Sequence, residues 1–320
     1  MLRDNPKASL RKQGFGTILS DRGQVMIVAQ LSQYLFPLCL FIIMFGMGLT
    51  LSPGDFTRIF RFPRPALAGL GGQMLLLPLV GFGLAAWLMP TPALAIGLVL
   101  LAACPGGVTS NMVSYMARGD LALSVTLTAV SSLLAVFTIP FLVGLAFHVF
   151  GDGYQSVSVP ASHMMLSLIL MTLLPIALGM LLRAHRPRLA LWLEPKISVF
   201  GLLFLCALIL LVLIRQGGQI TSGLMSSGAA IISLNVVMMG LGLVFALLLR
   251  LNSAQSTSIT LETGIQNSTL AMLIATSFLQ DEQLAVPAAL YSLVMYVSAT
   301  IVVVMRRRGL GSGRVLRAAE

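Results

Sequence analysis

Long runs of Leu, Val, Ile, Ala, Phe and Met recur along the chain, parted by short polar stretches. A helix needs about 20 mostly apolar residues to cross a bilayer. Nine runs qualify, near 25–51, 65–88, 93–116, 120–148, 160–183, 196–214, 224–250, 254–279 and 283–305. They are continuously apolar and lack the two-residue alternation of a membrane barrel strand. The pattern therefore predicts an all-α polytopic membrane protein with nine spans. Residues 1–24 form a polar basic tail without the apolar core of a cleavable signal peptide. Residues 306–320 form a second basic tail.

Composition excludes the soluble alternatives. Charged residues are only 9% of the 320, hydrophobic residues 57%. A soluble domain carries about 25% charge. The net charge of +10 sits in loops and tails, so it speaks of topology and lipid headgroups and not of nucleic acid. Counting alternate loops, one set holds 14 basic residues, from Arg58, Arg61 and Arg64 through Arg118, Arg183 and Arg250 to the C-terminal tail. The other set holds only Arg215. The first set is predicted to be cytoplasmic, which places the C-terminus inside and the protein in the cell inner membrane. Nine spans then leave the basic N-terminal tail outside, against the rule. Cys39, Cys104 and Cys206 lie in apolar runs, and His148, His163 and His185 are scattered. Neither set has the spacing of a disulfide framework or a transition-metal site.

The polar exceptions inside the spans carry the functional information. Of ten acidic residues, Glu262 alone lies well inside a span. A carboxylate at mid-bilayer costs at least about 2.5–3.5 kcal/mol, and no Lys or Arg lies in the interior of any predicted span to pair with it. It needs a cation, a proton or a polar cavity. It sits in Leu261-Glu262-Thr263-Gly264-Ile265-Gln266-Asn267-Ser268-Thr269, where Gly264 lets the helix open. Opened backbone offers carbonyl oxygens, and it is tolerated at membrane depth only when buried or lining a cavity. A second break lies at Cys104-Pro105-Gly106-Gly107, because Pro lacks a donor and Gly carries a backbone-entropy cost. Thr109-Ser110-Asn111 follow, opening a half-helix whose N-terminus favours an anion. Interrupted segments at corresponding places in two halves, about 25–148 and 160–305, point to a transporter site at a repeat interface. Ser124, Thr128 and Ser131 or Ser132 share one face of the following span, and Gln73 is a further amide at depth.

These residues resemble the bile acid:sodium symporter family, particularly its bacterial members, from about Phe36 to Met305. The most specific pieces are Ile43-Met44-Phe45-Gly46-Met47-Gly48-Leu49-Thr50, Cys104-Pro105-Gly106-Gly107 with Ser110-Asn111, Ala117-Arg118-Gly119-Asp120-Leu121-Ala122-Leu123-Ser124, and Glu262 through Ser268. The resemblance implies a core and a panel domain built from inverted repeats, with two broken helices crossing near the midplane. It implies two Na⁺ ions as coupling ions. The first would be held by Ser110, Asn111, Ser124, Thr128 and Glu262. The second would be held by Gln73, Glu262 and Gln266 with backbone carbonyls at Thr263 and Ile265. Thr109 and Asn267 would face an organic anion. Three departures stand out. A polar tail replaces the extra first helix of ten-span members. Val108 stands where some relatives have Thr, and Met295-Tyr296 where bacterial relatives often have His-Asn.

The expected function is sodium-coupled symport of a small organic anion, a bile-acid-like molecule or a keto or hydroxy acid, by alternating access. Proton coupling through Glu262 is the alternative, and a channel or sensor a more distant one. No enzyme is expected, since one lone Glu is poor acid–base equipment and no activated nucleophile appears. The partners implied are the anion and membrane lipid, with no protein partner.

Overall fold

The computed structural model describes residues 35–152, 161–215 and 217–309. The N-terminal tail, the start of the first predicted span, the Arg215 side chain and residues 310–320 lie outside the described residues. Regular structure among the described residues is helical throughout. Helix α1 (Leu35–Thr50) bends by 59° into α2 (Pro53–Arg61). The turn is set by Asp55, whose carboxylate accepts from Ser52 N (2.7 Å) and Ser52 Oγ (2.8 Å), with Pro53 pre-set for a first helical position. No residue of α2 is buried, and Phe60 is 85% exposed.

Helix α3 (Pro63–Leu88) contains a π-turn at Gly72–Leu76, two residues before Pro78. A proline ring crowds the carbonyl four residues back and offers no N–H, so the wider turn absorbs the mismatch. The same pairing of π-turn and proline recurs later, at Ile169–Leu173 and Pro175 in α7 (Ser162–His185). Between them come α4 (Pro92–Ala103), α5 (Val108–Met116) and the long α6 (Leu121–Phe150). α4 and α5 meet at 64° across the extended stretch 104–107. Asp120 caps α6 by accepting from Leu123 N at 3.0 Å.

Four longer elements and one short one complete the chain. α8 (Pro187–Arg215) starts well before the predicted 196 and runs through Pro195. α9 (Gly217–Leu248) precedes α10 (Ser253–Gly264), which Asn252 opens with a reciprocal cap to Gln255. α11 (Ser268–Leu273) continues through a π-turn at Ile274–Phe278, and α12 (Val286–Arg307) follows a 3₁₀ turn. Among the described residues, six helices are long and apolar enough to cross a membrane, or eight if each of two bent pairs is one span. The nine predicted runs differ from this count for a physical reason. The run 254–279 is two short helices rich in hydroxyls and amides, parted by extended residues 265–267.

α9 lies against α10, α12 and α3, while α4 lies against α3 and α6. α7 lies against α6 as well as α8. α1, α7 and α8 pack on one another. A Cβ on Gly48 would meet the Ile176 backbone, one on Gly179 the backbone of Phe45 and Gly48, and one on Gly46 the Ile197 side chain. Backbones this close need glycine, as at small-residue helix crossings in membranes.

Candidate functional site

The two helix breaks lie against each other. Asn267 N donates to Pro105 O at 2.9 Å, joining the second break to the first. Each break then restarts a helix. Gly107 O accepts from Ser110 N (3.0 Å) and Ser110 Oγ (2.7 Å), and Asn267 Oδ1 accepts from Leu270 N (3.0 Å). A Cβ on Gly107 would lie 3.7 Å from Thr109 Oγ1 and 3.8 Å from the Asn267 amide, so the two residues expected at the anion flank one glycine. Both are half-buried.

Glu262 is 1% exposed and is the one acidic or basic side chain that is buried among the described residues. Its Oε2 accepts from Ser124 Oγ at 2.9 Å and its Oε1 from Thr128 Oγ1 at 2.5 Å. The same two hydroxyls also face Asn111 Oδ1, at 2.9 and 3.2 Å. Ser110 Oγ lies 3.4 Å from Thr128 Oγ1, with its own proton directed to Gly107 O. Each hydroxyl has one proton. Two hydroxyl protons therefore serve four acceptor contacts, while Asn111 Nδ2 is buried without a hydrogen-bond partner. Gly106 makes the approach possible, because a Cβ there would meet Glu262 Oε1. The structure thus brings Ser110, Asn111, Ser124, Thr128 and Glu262 together from α5, α6 and α10.

A second polar cluster adjoins it through the backbone at Thr263. Gln73 Nε2, carried on the π-turn of α3, donates to Gln266 Oε1 (2.7 Å) and to Cys104 O (3.0 Å). Gln266 Nε2 donates to Thr263 O at 2.9 Å. Gln73 Oε1 is buried without a hydrogen-bond partner. An orphaned buried acceptor costs about 1–3 kcal/mol. Gln73, Thr263 and Gln266 are brought together directly. Ile265 lies in the extended stretch beside them, fully buried. The Glu262 carboxylate points to the first cluster and reaches the second only along the chain.

Beside the breaks runs a narrow crevice between α6 and the two breaks on one side and α1 and α7 on the other. Pro105, Ser132, Ile139 and Asn267 form one wall, Met44, Leu168 and Thr172 the other. Its open space of about 10 Å³ admits roughly one water. Thr172 lies on the π-turn of α7, and no pattern in the sequence singles it out. Asn235 and Tyr291 are two more site residues invisible to sequence reading. Asn235 Nδ2 and Tyr291 Oη both donate to Gly264 O at 2.9 Å, from α9 and α12. One lone amide and one phenol in apolar helices read as ordinary helix–helix contacts.

Residues 37–223 match the family model described as the Sodium Bile acid symporter family. The chain is 34% identical over 258 residues to a Bacillus subtilis protein named "Uncharacterized sodium-dependent transporter YocS", covering 78% of this chain and 76% of that one. It is 31% identical over 274 residues to an Arabidopsis thaliana protein named "Probable sodium/metabolite cotransporter BASS1, chloroplastic", covering 83% and 65%. It is 32% identical over 303 residues to a rice chloroplastic protein of the same description, numbered BASS2, covering 92% and 69%.

Proposed function

Because the chain belongs to the sodium bile acid symporter family, whose members are sodium-dependent membrane transporters and not enzymes, we propose that it couples sodium entry to uptake of a small organic anion. The observation that carries this reading is the buried cluster around Glu262, where carboxylate, amide and hydroxyl oxygens converge with no cationic side chain among the described residues beside them. A desolvated cation supplies the missing charge. Carboxylate, amide and hydroxyl oxygens are hard donors that suit sodium and not zinc or copper. Ser110, Asn111, Ser124, Thr128 and Glu262 form the first site. Gln73, Gln266 and the carbonyls of Thr263 and Ile265 form the second, with Glu262 between them. The orphaned Gln73 Oε1 supports that assignment.

The anion is a keto or hydroxy acid or a bile-acid-like molecule, held where Thr109 and Asn267 open the two half-helices. Backbone N–H groups and the helix dipoles favour negative charge there. A space of about 10 Å³ admits no such molecule, so the two sides of the crevice must part. In this reading α3–α6 with α9–α12 form the core, and α1, α7 and α8 the panel. The protein lies in the cell inner membrane with its C-terminus in the cytoplasm. A tenfold sodium gradient and 100 mV supply about 5 kcal/mol to two Na⁺ and one monoanion, enough for roughly 5,000-fold accumulation.

Proteoliposomes with an inward sodium gradient test this reading. They should accumulate a labelled organic acid, and choline in place of sodium should abolish the uptake. The same cluster admits a second reading, since one proton on Glu262 also neutralises the buried carboxylate. Uptake indifferent to sodium but driven by an inward proton gradient would establish that reading and overturn the first.

A further inference from the structure

Gly264 carries the last carbonyl of α10 before the chain opens, and this carbonyl is bound twice. Asn235 Nδ2 and Tyr291 Oη each donate to it at 2.9 Å, and Asn235 Nδ2 also lies 3.3 Å from Tyr291 Oη. A carbonyl oxygen can only accept, so the amide presents its nitrogen. Its Oδ1 is left buried with no hydrogen-bond partner. Both side chains are wholly buried, and they come from two different helices, α9 and α12. A leucine at 235 would avoid the orphaned oxygen. The asparagine therefore accepts a cost of about 1–3 kcal/mol to place one N–H on Gly264 O.

We infer that Asn235 and Tyr291 are positioning residues of the second ion site: together they orient the opened backbone that presents the Thr263 and Ile265 carbonyls. This rests on the sodium-symport reading above. The residue after Gly264 is extended, with Ile265 at φ −110° and ψ 113°. Successive carbonyls of an extended chain face opposite ways. Holding Gly264 O toward α9 and α12 therefore turns Ile265 O away from them. Asn267 N, bound to Pro105 O, fixes the other end of the same stretch. Ile265 N still closes the last turn of α10 on Leu261 O at 2.8 Å, so the extended stretch is pinned at both ends and its carbonyl oxygens are held in one arrangement. Preorganisation of this kind lowers the ordering cost of binding.

Tyr291→Phe removes one hydroxyl, and Asn235→Leu removes the amide at similar volume. Either variant leaves Gly264 O one donor, and the double variant leaves none. The test is a thermal-stability titration of the purified full chain with NaCl against choline chloride at constant ionic strength. Each single variant should raise the sodium half-saturation about three- to tenfold, with melting in choline little changed. The double variant should raise it by more than the product of the two, because only then is the carbonyl orphaned. Equal half-saturation in wild type and the folded variants would overturn the inference while leaving sodium binding intact. So would a drop in choline stability with an undiminished sodium response. A wild type indifferent to sodium would overturn the sodium reading itself and this inference with it. If the double variant does not fold, Tyr291→Phe alone decides, being the least disruptive change.

Discussion

Glu262 is an acidic side chain with two hydroxyl donors, no cationic partner in any apolar run and a glycine at its shoulder. That glycine is the most sensitive neighbour. Gly106→Ala adds one methyl group where Glu262 Oε1 lies, so either the carboxylate or the break must move. Overpacking costs about 1–3 kcal/mol. The expected result is at least a tenfold loss of sodium affinity, read as a shift of the sodium midpoint in thermal stability. Removing donors is gentler. Thr128→Val keeps the shape and removes one oxygen from both Glu262 and Asn111, and it should weaken sodium about tenfold. A cation site built on a carboxylate also competes with protons, since the ligand must be ionised. Sodium stabilisation should therefore grow as pH rises and shrink as it falls, measured as the sodium midpoint at several pH values. A midpoint independent of pH in the acidic range would speak against Glu262 as a ligand.

At the scale of elements, the breaks and the π-turns do the placing. The two breaks were legible in the sequence because Pro105, Gly106, Gly107 and Gly264 interrupt apolar runs and are followed at once by amides and hydroxyls. Glu262 was legible because it is alone. The π-turns were not, because a wider turn depends on which carbonyl each N–H finds, which no single residue announces. Pro78 and Pro175 are the nearest signal, each following its π-turn by two residues. Asn235 and Tyr291 were not legible either. Their role depends on three helices meeting at one carbonyl, and an isolated polar residue in an apolar helix has a commoner explanation. The span count shows the same limit. The run 254–279 is apolar enough on average to be taken for one span, yet its hydroxyls and amides belong to a helix that opens midway. Helix crossing gives a prediction at this scale. Gly179→Ala places a methyl against the Phe45 and Gly48 backbone, which cannot yield as a side chain can. It should lower thermal stability by about 1–3 kcal/mol in choline and leave the sodium midpoint unchanged.

For the whole molecule, alternating access needs two helix groups that move and an ion site that does not straddle them. The proposed sodium ligands all come from α3, α5, α6 and α10 with its following break. The crevice instead lies between α6 with the two breaks and α1 with α7. Cross-linking Ile139→Cys to Leu168→Cys across the crevice with a short bifunctional reagent should therefore stop transport and spare sodium binding. If the cross-link abolished both, ions and motion would share one site, and this division would be wrong.

The central claim is that Glu262 and its neighbours bind sodium. The most direct measurement is a sodium titration of the purified protein in detergent against choline at constant ionic strength, for wild type and Glu262→Ala. It requires no knowledge of the transported anion. The account expects saturable, sodium-selective stabilisation of wild type, about 2.7 kcal/mol per site at 100 times the dissociation constant. That stabilisation should vanish in a variant that still folds. A folded wild type equally stable in sodium and choline would contradict it.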